Sequence, residues 1–240
     1  MTRIIAGRRP VLEAIRSKVK IRRLLLEPDK RLPELRDAAQ RHHIRIEEKS
    51  RSDLDGLTEG VRHQGVVAVA DDYVYRALEQ VLEQAGHPPV LVALDEITDP
   101  QNVGAIIRSA VAFGLDGVIL QKHRAAGVTA GVVRASAGAT EHASIVQVTN
   151  LQKTLLALKD QGFEVLGLDA GGDIELRTIA PTDVGRVLVV GSEGRGLRRM
   201  VRQRCDIVVQ IKQRGPMDSL NASVAAALAM YHVARQDGTQ

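Results

Sequence analysis

Aromatic residues are scarce in this sequence, which has no Trp, two Phe and three Tyr among its 240 residues. Proteins that bind single-stranded nucleic acid without regard to sequence use aromatic side chains on which successive bases stack. The composition therefore argues against a binding protein of that class. An apolar content of 44% is ordinary and still allows the chain to bury a sizeable core.

Cysteine is almost absent as well, because Cys205 is the single cysteine and cannot form an internal disulfide bond. Such usage is typical of proteins of the reducing cytosol. We expect Cys205 to be a small buried residue beside a strand rather than a reactive thiol. Because the apolar runs are short and no signal peptide is recognisable, we expect a cytoplasmic protein without a membrane span.

The common signatures of nucleotide-binding enzymes are missing too. No G-K-[ST] sequence follows a predicted strand, which excludes a phosphate-binding loop of the P-loop type. The glycines of GSEGRG (residues 191–196) are spaced G-x-x-G-x-G. The dinucleotide-binding fingerprint is G-x-G-x-x-G and belongs to the first strand–helix turn of a domain. The spacing and the position of these glycines make a nicotinamide-dependent enzyme a disfavoured alternative.

Basic residues are concentrated towards the amino-terminal end. The net charge is +4; residues 1–75 hold 16 Lys and Arg against 12 Asp and Glu, whereas residues 76–240 hold 17 of each. Within residues 1–23, eight basic residues accompany one acidic residue. Such a surface attracts phosphate backbones, although a merely solvated surface has the same composition. His63 is a further candidate for RNA contact, and because the histidines show no spacing typical of metal ligands we expect no metal.

The pattern of apolar residues divides the chain into two parts of the α/β class. Residues 1–72 have the pattern of a small α/β domain, and residues 73–88 that of a linker. Strands and helices alternate through residues 89–240, which predicts a mostly parallel sheet with helices on both faces. The predicted strands are 21–27, 44–48, 63–70, 90–97, 117–120, 144–148, 164–169, 186–191 and 207–211. The main predicted helices are 32–42, 103–113, 129–139, 151–161, 196–203 and 219–236.

Polar residues at two predicted helix starts have both a structural and a functional interpretation. Asn102 and Ser219 are predicted N-caps, and Asn221 follows Ser219 by two positions. Arg108 lies among apolar residues on a helix with little polar surface, where an arginine usually faces a carboxylate, a phosphate or a cleft. An exposed helix charge is the simpler alternative for Arg108.

Three blocks of sequence occur in a fixed order and together point to one family. They match the patterns N-x-G-x-x-x-R, G-S-E-G-x-G and S-L-N-x-S-V-A. The matching residues are Asn102, Gly104 and Arg108; Gly191, Ser192, Glu193, Gly194 and Gly196; and Ser219, Leu220, Asn221, Ser223, Val224 and Ala225. In these blocks the chain resembles the SpoU/TrmH family of the SPOUT class of RNA 2′-O-ribose methyltransferases.

The amino-terminal part resembles the substrate-binding domain of the bacterial subgroup that methylates a guanosine of 23S rRNA. The matching segments are IIAGRRPVLEAI (4–15) and HQGVVAVA (63–70). The resemblance implies that residues 1–72 bind RNA and that residues 89–240 form a SPOUT methyltransferase domain with a trefoil knot. It further implies S-adenosyl-L-methionine as cofactor, no metal, and a homodimer formed through the carboxyl-terminal domain.

The resemblance also implies which residues bind the cofactor. The backbone at Gly191, Ile211 and Leu220 would hold the adenine and the ribose of S-adenosyl-L-methionine. Gly194 and Gly196 belong to the same cofactor-binding set. Glycine suits this role because a side chain would block the close approach of the backbone to a ligand.

The catalytic residues implied by the resemblance are Arg108, Glu193, Asn102, Asn221 and Ser219. The family assigns proton removal from the 2′-hydroxyl to the arginine, but a guanidinium is effectively always protonated in proteins. We therefore expect Arg108 to clamp a phosphate and to stabilise the developing alkoxide, with the proton released to an RNA phosphate or to water. Glu193 would orient Arg108 or a substrate group, and the remaining three would position both.

One departure from the family pattern and several alternatives remain. The family has I-P-M after the last strand, whereas this chain has Ile211, Lys212 and Gln213; losing the proline removes a rigid φ from the cofactor loop.

A tRNA ribose methyltransferase is the nearest alternative function. A resistance-type rRNA adenosine methylase and a non-catalytic RNA-binding relative are the others.

Overall fold

The computed structural model describes residues 2–28, 30–216 and 219–236, with residues 235 and 236 in their backbone only. The chain divides into two compact units. We call them the amino-terminal unit, Met1–Val74 with Val128–His142, and the carboxyl-terminal unit, Tyr75–Gly127 with Ala143–Gln240. No described helix is both long and apolar enough to cross a membrane. The described residues also contain no group of His, Cys, Asp or Glu side chains placed to hold a metal ion.

Strands and helices alternate along most of the chain, as the apolar pattern predicts. In chain order the elements are β1 (Thr2–Ala6), α1 (Arg8–Arg16), β2 (Ile21–Leu26), α2 (Pro33–Arg41), β3 (Ile46–Glu48), α3 (Arg51–Thr58), β4 (Val66–Asp71), α4 (Leu78–Gln84), β5 (Val90–Asp95), α5 (Pro100–Ala112), β6 (Gly117–Gln121), α6 (Ala130–Ala135), β7 (Ile145–Val148), α7 (Leu151–Asp160), β8 (Glu164–Leu168), β9 (Ile174–Glu175), β10 (Arg186–Gly191), α8 (Arg199–Arg202), β11 (Ile207–Gln210) and α9 (Ala222–Gln236). The α/β class is confirmed.

The amino-terminal unit is built on a mixed four-stranded sheet in the order β1-β4-β2-β3. The two neighbours of β4 run antiparallel to it, whereas β2 and β3 are parallel. Helix α3 was missed by the sequence analysis. Its first turn has a capping box between Ser50 and Asp53, but only Leu54 and Thr58 are buried along it, so its apolar period is weak.

Residues 128–142 pack with the amino-terminal unit, although the sequence pattern placed them in the second domain. Val133 on α6 is buried in the same apolar cluster as Val11 and Ala14 of α1. An ion pair of 2.7 Å joins Arg3 of β1 to Glu141. The core of this unit is thus completed by a segment distant in sequence, which no local pattern reveals.

The carboxyl-terminal unit contains a seven-stranded sheet in the order β7-β6-β5-β10-β8-β11-β9. All its strand pairs are parallel, so the predicted parallel sheet is confirmed. Every residue of β5 and β10 is buried. These two strands have continuous apolar runs because both faces of a parallel sheet are covered by helices.

The late strands of the carboxyl-terminal unit lie between earlier ones. Strand β10 lies between β5 and β8, and β11 lies between β8 and β9. Helix α9 then packs against α5. This order suits a chain end that passes through a preceding loop, and the trefoil knot stays a prediction.

Two helix caps differ from those predicted. The N-cap of α5 is Asp99, whose carboxylate accepts hydrogen bonds from the backbone N–H groups of Gln101 and Asn102. At the start of α9 the capping side chain is Asn221, whose Oδ1 accepts from the N–H of Ser223 at 2.9 Å. The predictions of Asn102 and Ser219 as caps are therefore wrong. In both cases a second capping residue lies within three positions, and the sequence does not say which one is used.

Cys205 is half-buried after α8, and its thiol donates a hydrogen bond to the backbone carbonyl of Val201 at 3.5 Å. Burial raises its pKa to about 12, with the nearby charge of Asp206 acting in the same direction. The Sγ atom lies where a Cβ on Gly167 would approach it to 2.7 Å. At neutral pH this cysteine is a protonated packing residue, and its thiolate is not accessible as a nucleophile.

An ion pair between a buried aspartate and a partly exposed arginine joins the end of β5 to the segment that follows β10. Asp95 is fully buried, and its carboxylate accepts from the backbone N–H of Arg198 at 2.9 Å and from the Arg198 guanidinium at 2.6 Å. The guanidinium also contacts Glu96 at 2.9 Å and the Oε1 atom of Gln121 at 3.3 Å. One side chain thus ties together the ends of β5 and β6 and the exit of the turn after β10.

We predict that Arg198→Leu destabilises the protein by about 3 kcal/mol, because it leaves the Asp95 carboxylate buried and without its charged partner. The measurement is urea unfolding monitored by circular dichroism. Arg199→Leu is the matched control, since Arg199 is exposed and has no polar partner among the described residues; it should change stability by less than ~0.5 kcal/mol. Equal effects of the two substitutions would contradict the assignment.

Candidate active site

A cavity of about 410 Å³ opens at the carboxyl ends of β8, β10 and β11. Leu168 is the last residue of β8, Gly191 is the last residue of β10, and Ile211 directly follows β11. Ligands of open α/β sheets bind at this edge, where strand ends and their loops meet. The lining residues are Leu168, Asp169, Ala170, Val190, Gly191, Ser192, Glu193, Gly194, Arg195, Gly196, Ile211, Gln213, Ser219, Leu220, Ala222 and Ala225.

The cavity brings together most residues that the sequence analysis selected. All five predicted cofactor-binding residues line it: Gly191, Gly194, Gly196, Ile211 and Leu220. Two of the predicted catalytic residues, Glu193 and Ser219, line it as well. Asn102, Asn221 and Arg108 are not part of its wall. Two loops that are distant in sequence therefore meet in one cavity, while the roles of their residues stay predictions.

The turn that carries Glu193 requires glycine. A Cβ on Gly191 would lie 2.2 Å from the carbonyl carbon of Gly196, and one on Gly196 would lie 2.4 Å from an Asp169 carboxylate oxygen. Gly194 and Gly196 also have positive φ angles of 75° and 63°. The close approaches exclude a side chain at Gly191 and Gly196, and the positive φ angles favour glycine.

Two aspartates from the ends of parallel strands fix the exit of this turn. Asp169, after β8, accepts from the backbone N–H of Leu197 at 3.0 Å. Asp95, at the end of β5, accepts from the next N–H, that of Arg198, at 2.9 Å. Because consecutive backbone donors are bound by carboxylates on different strands, the turn is held at a defined position over the sheet edge.

Glu193 is held by two asparagines, one on α5 and one that caps α9. Asn102 on α5 donates from Nδ2 to Glu193 Oε1 at 3.1 Å. Asn221 donates to the same carboxylate oxygen and to Asn102 Oδ1, the latter at 2.9 Å. The backbone N–H of Ala222 is a further donor to this oxygen, at 3.3 Å. The other oxygen of Glu193 has no hydrogen-bond partner among the described residues and can accept from a substrate group.

Arg108 lies apart from Glu193 within one chain. It is exposed on α5, six residues after Asn102, which places its backbone about 9 Å further along the helix axis. In the described part of the chain its guanidinium has no ion pair or hydrogen bond. The predicted alignment of Arg108 by Glu193 is not seen within the chain, where Glu193 has the two asparagines as partners instead.

Three polar lining residues that match no position of the family blocks, Asp169, Arg195 and Gln213, were not predicted as site residues. Asp169 follows an apolar strand, and the rule that ligands bind at the carboxyl ends of strands could have found it. Arg195, inside the glycine turn, has no sequence feature that marks it as a site residue. Gln213, after β11, is marked only by its departure from the family pattern. The Oε1 atom of Gln213 is buried and has no hydrogen-bond partner in the described structure.

The substitution of the family's proline by Lys212 is accommodated outside the cavity. The Lys212 ammonium pairs with Glu175 of β9 at 3.4 Å. This contact belongs to a neighbouring cavity on the far side of Ile211, which Lys212 and Glu175 line together. The Lys212 side chain therefore does not line the first cavity, whereas Gln213 does.

Both parts of the chain match known protein families. The model of the SpoU rRNA methylase family matches residues 89–231, and that of the RNA 2′-O ribose methyltransferase substrate-binding domain matches residues 4–76. A Mycobacterium avium (strain 104) protein named as an uncharacterized tRNA/rRNA methyltransferase is 46% identical over 241 residues, covering 98% of this chain and 78% of the relative. A similarly named Mycolicibacterium gilvum (strain PYR-GCK) protein is 43% identical over 245 residues, covering 98% and 77%.

Solved structures give the same result. The SpoU methyltransferase AviRb from Streptomyces viridochromogenes, in complex with the cofactor AdoMet, has a TM-score of 0.83 at 26% identity, covering 98% of this chain and 90% of AviRb. A structure described for the 2-OH methylation of C/U34 on tRNA has a TM-score of 0.57 at 28% identity, covering 63% of this chain and 97% of that one.

These matches confirm the resemblance drawn from the three sequence blocks, together with the predicted enzyme class and methyl donor. The family matches extend over both parts of the chain, and the first of them covers more than half of its length. The chain therefore belongs to the SpoU rRNA methylase family of RNA 2′-O-ribose methyltransferases, whose methyl donor is S-adenosyl-L-methionine.

Proposed function

We propose that this protein transfers the methyl group of S-adenosyl-L-methionine to a ribose 2′-hydroxyl of RNA, and that its substrate is a guanosine of 23S rRNA. One observation carries the proposal: Gly191, Ile211 and Leu220 line a single cavity beside the Glu193–Asn102–Asn221 cluster. Residues 1–72 then bind the RNA, and residues 89–240, apart from the segment 128–142 that packs with the amino-terminal unit, are the catalytic domain after the linker 73–88. An enzyme with this substrate works in the cytoplasm.

The choice of rRNA rests on the amino-terminal part. Its match to a substrate-binding domain covers residues 4–76, and its segments 4–15 and 63–70 resemble the subgroup that methylates 23S rRNA. A tRNA is the second candidate, because relatives are named as tRNA/rRNA methyltransferases. Mapping of ribose methylation in host RNA with and without the gene decides between them. Loss of a single 23S rRNA guanosine methylation in the strain without the gene supports the proposal. Loss of a tRNA methylation instead would show that tRNA is the substrate.

The residues of the cavity fit the methyl donor. Its volume of about 410 Å³ lies within the range of roughly 300–1,000 Å³ found for ligand sites. The glycine turn lets backbone groups approach a ligand closely. The buried Oε1 of Gln213, which has no hydrogen-bond partner among the described residues, is an acceptor for an amino or hydroxyl group of adenosine. When bound, the donor supplies an electrophilic methyl carbon attached to a sulfonium.

The reaction forms a bond between the ribose oxygen and the methyl carbon, breaks the bond from carbon to sulfur, and releases the hydroxyl proton. The protein's residues must hold the ribose oxygen in line with the methyl group. Glu193, fixed by Asn102 and Asn221, orients the substrate through its open oxygen. Arg108 remains protonated, so it clamps an RNA phosphate and stabilises the developing alkoxide while the proton passes to phosphate or water. Recognition of the 2′-hydroxyl makes RNA, rather than DNA, the substrate.

A second copy of the chain completes this arrangement in our proposal. Helix α9 leaves Val224, Leu228 and Tyr231 about half exposed, and their spacing places them on one helix face. Exposed apolar stripes of this kind mark association surfaces. A homodimer formed through the carboxyl-terminal unit would cover the stripe and bring the unpaired Arg108 to an interface.

We predict that Leu228→Glu converts the protein from a dimer to a monomer, because it places a charge within an apolar interface. Light scattering after size-exclusion chromatography measures the mass. Met200→Glu is the matched control: Met200 is an equally exposed apolar residue on α8, away from the stripe, and this variant should remain dimeric. A wild-type monomer, or a dimeric Leu228→Glu variant, would refute the proposed interface.

Arg108→Ala should leave the affinity for S-adenosyl-L-methionine near that of the wild type and lower single-turnover methylation more than tenfold. The reason is that the guanidinium acts on the RNA and on the developing negative charge, and not on the cofactor. A tenfold loss corresponds to ~1.4 kcal/mol of transition-state stabilisation. Methylation that stays within tenfold of the wild type would show that the assignment is wrong.

Gln213→Met should weaken S-adenosyl-L-methionine binding about five- to tenfold, since it removes an acceptor worth roughly 1 kcal/mol. Isothermal titration calorimetry measures this without RNA and without turnover. Lys212→Gln is the control, because Lys212 pairs with Glu175 outside the cavity; its affinity should stay within twofold of the wild type. Equal affinity of Gln213→Met and wild type would exclude Gln213 from the cofactor site.

A further inference from the structure

The amino-terminal unit has a cavity of its own, of about 330 Å³. The family resemblance assigns no function to this cavity. It lies between the start of α1, the loop after β2, helix α3 and the turn that precedes β4. Its lining residues are Arg8, Glu27, Lys30, Arg51, Asp55, Arg62, His63, Gln64 and Gly65. No aromatic residue is among them, and most carry a charge.

The wall of this cavity is a rigid turn at residues 63–65. His63 is buried; its Nδ1 accepts from the N–H of Gly65 at 3.1 Å, so its Nε2 donates to Asp55 at 3.0 Å. Gln64 has a positive φ of 57° and its Oε1 accepts from the N–H of Arg8 at 3.1 Å. Both nitrogens of the predicted RNA-contacting histidine are thus occupied by protein groups. His63 shapes the cavity and does not contact a ligand through a free nitrogen.

Gly65 has no side chain, and a side chain at this position would collide with two residues that line the cavity. Its φ is +82°, and a Cβ on it would lie 2.7 Å from Lys30 Cγ and 3.2 Å from Glu27 Oε2. Two charged side chains of opposite sign therefore pack directly against this backbone. Two consecutive residues with positive φ, one of them not glycine, are a local strain that is typical of binding sites.

The charges of the cavity are only partly balanced within the protein. Arg51 lies 4.0 Å from Asp55, and Asp55 also accepts from His63. In the described part of the chain, the side chains of Arg8, Lys30 and Arg62 have no ion pair or hydrogen bond. The carboxylate of Glu27 likewise has no described partner. Three cations and one acceptor, none of them with a described side-chain partner, therefore line the same cavity.

We propose that this cavity binds one unpaired nucleotide of the RNA substrate. Arg8, Lys30 and Arg62 hold its phosphate groups, and Glu27 accepts a hydrogen bond from an amino or imino group of its base. Guanidinium and ammonium groups suit phosphate oxygens, whereas the carboxylate would repel a free phosphate and needs an N–H donor. Sequence-specific RNA recognition uses such unpaired, extruded bases, which can also lie against guanidinium planes where aromatic rings are lacking.

This inference rests on RNA being the substrate, and it names the place where the amino-terminal unit holds that RNA. The site is distinct from the cavity of the carboxyl-terminal unit, so that its loss should weaken RNA binding without affecting cofactor binding. Of the eight basic residues within residues 1–23, Arg8 alone lines the cavity, so the site accounts for one of them and not for the basic end as a whole. Only those cations that line the cavity should matter strongly.

The experiment measures the affinity of the full-length protein for a 23S rRNA transcript by filter binding, without the cofactor. Arg8→Gln should weaken binding about tenfold, the loss expected for one charge-assisted hydrogen bond. Arg9→Gln is the matched control, since Arg9 is adjacent, exposed and unpaired among the described residues but does not line the cavity; it should stay within twofold. The triple variant Arg8→Gln, Lys30→Gln, Arg62→Gln should also bind RNA with a weaker dependence on salt. The slope of log K against log salt concentration should become less steep by ~0.7 for each phosphate that the variant no longer neutralises.

Glu27→Ala separates a nucleotide site from a general basic surface. If Glu27 accepts from a base, its removal weakens RNA binding even though the protein becomes more positive; if the surface only attracts phosphates, binding becomes stronger. Equal effects of Arg8→Gln and Arg9→Gln, or stronger binding by Glu27→Ala, would overturn the proposal. Cavity-dependent RNA binding by a protein that methylates no RNA would instead refute the proposed function and leave this site standing.

Discussion

The position of the turn at residues 191–197 depends on two carboxylates at the ends of parallel strands. Asp95 and Asp169 bind the N–H groups of Arg198 and Leu197, and Asp95 is buried with the Arg198 guanidinium as its counter-charge. A buried carboxylate is costly unless it is paired and fully hydrogen-bonded, so this arrangement has little freedom to shift. Glu193 owes its fixed position over the sheet edge to that constraint.

The same polar atoms serve the fold and the candidate site. Asn221 uses its oxygen to cap α9 and its nitrogen to bind Glu193 and Asn102. Because Asp99 caps α5, the side chain of Asn102 is left to contact Glu193. The simple structural interpretation of a capping asparagine and the functional one are therefore not exclusive. One amide can satisfy both, since its donor and acceptor point in different directions.

Much of the fold was predictable because parallel strands buried on both faces have continuous apolar runs. The run at 186–191 matches β10 without error, and the strand–helix alternation after Val90 gives the parallel sheet. Helix α3 was missed because its apolar face is narrow, and the caps were misplaced because neighbouring polar residues compete for one role. The packing of residues 128–142 on β1 could not be foreseen, since it depends on contacts between distant segments.

The sequence by itself determined the family, the α/β class and the five residues expected to bind the cofactor, because ordered blocks of glycine and polar residues carry that information locally. Tertiary structure alone decided that these residues line one cavity, that Glu193 has two asparagines as partners, and that Arg108 lies apart from it in a single chain. It also decided that Arg8, Glu27 and Arg62 converge. The reason is physical: spacing along a chain fixes local geometry, whereas the meeting of distant side chains depends on how strands are ordered and helices are packed.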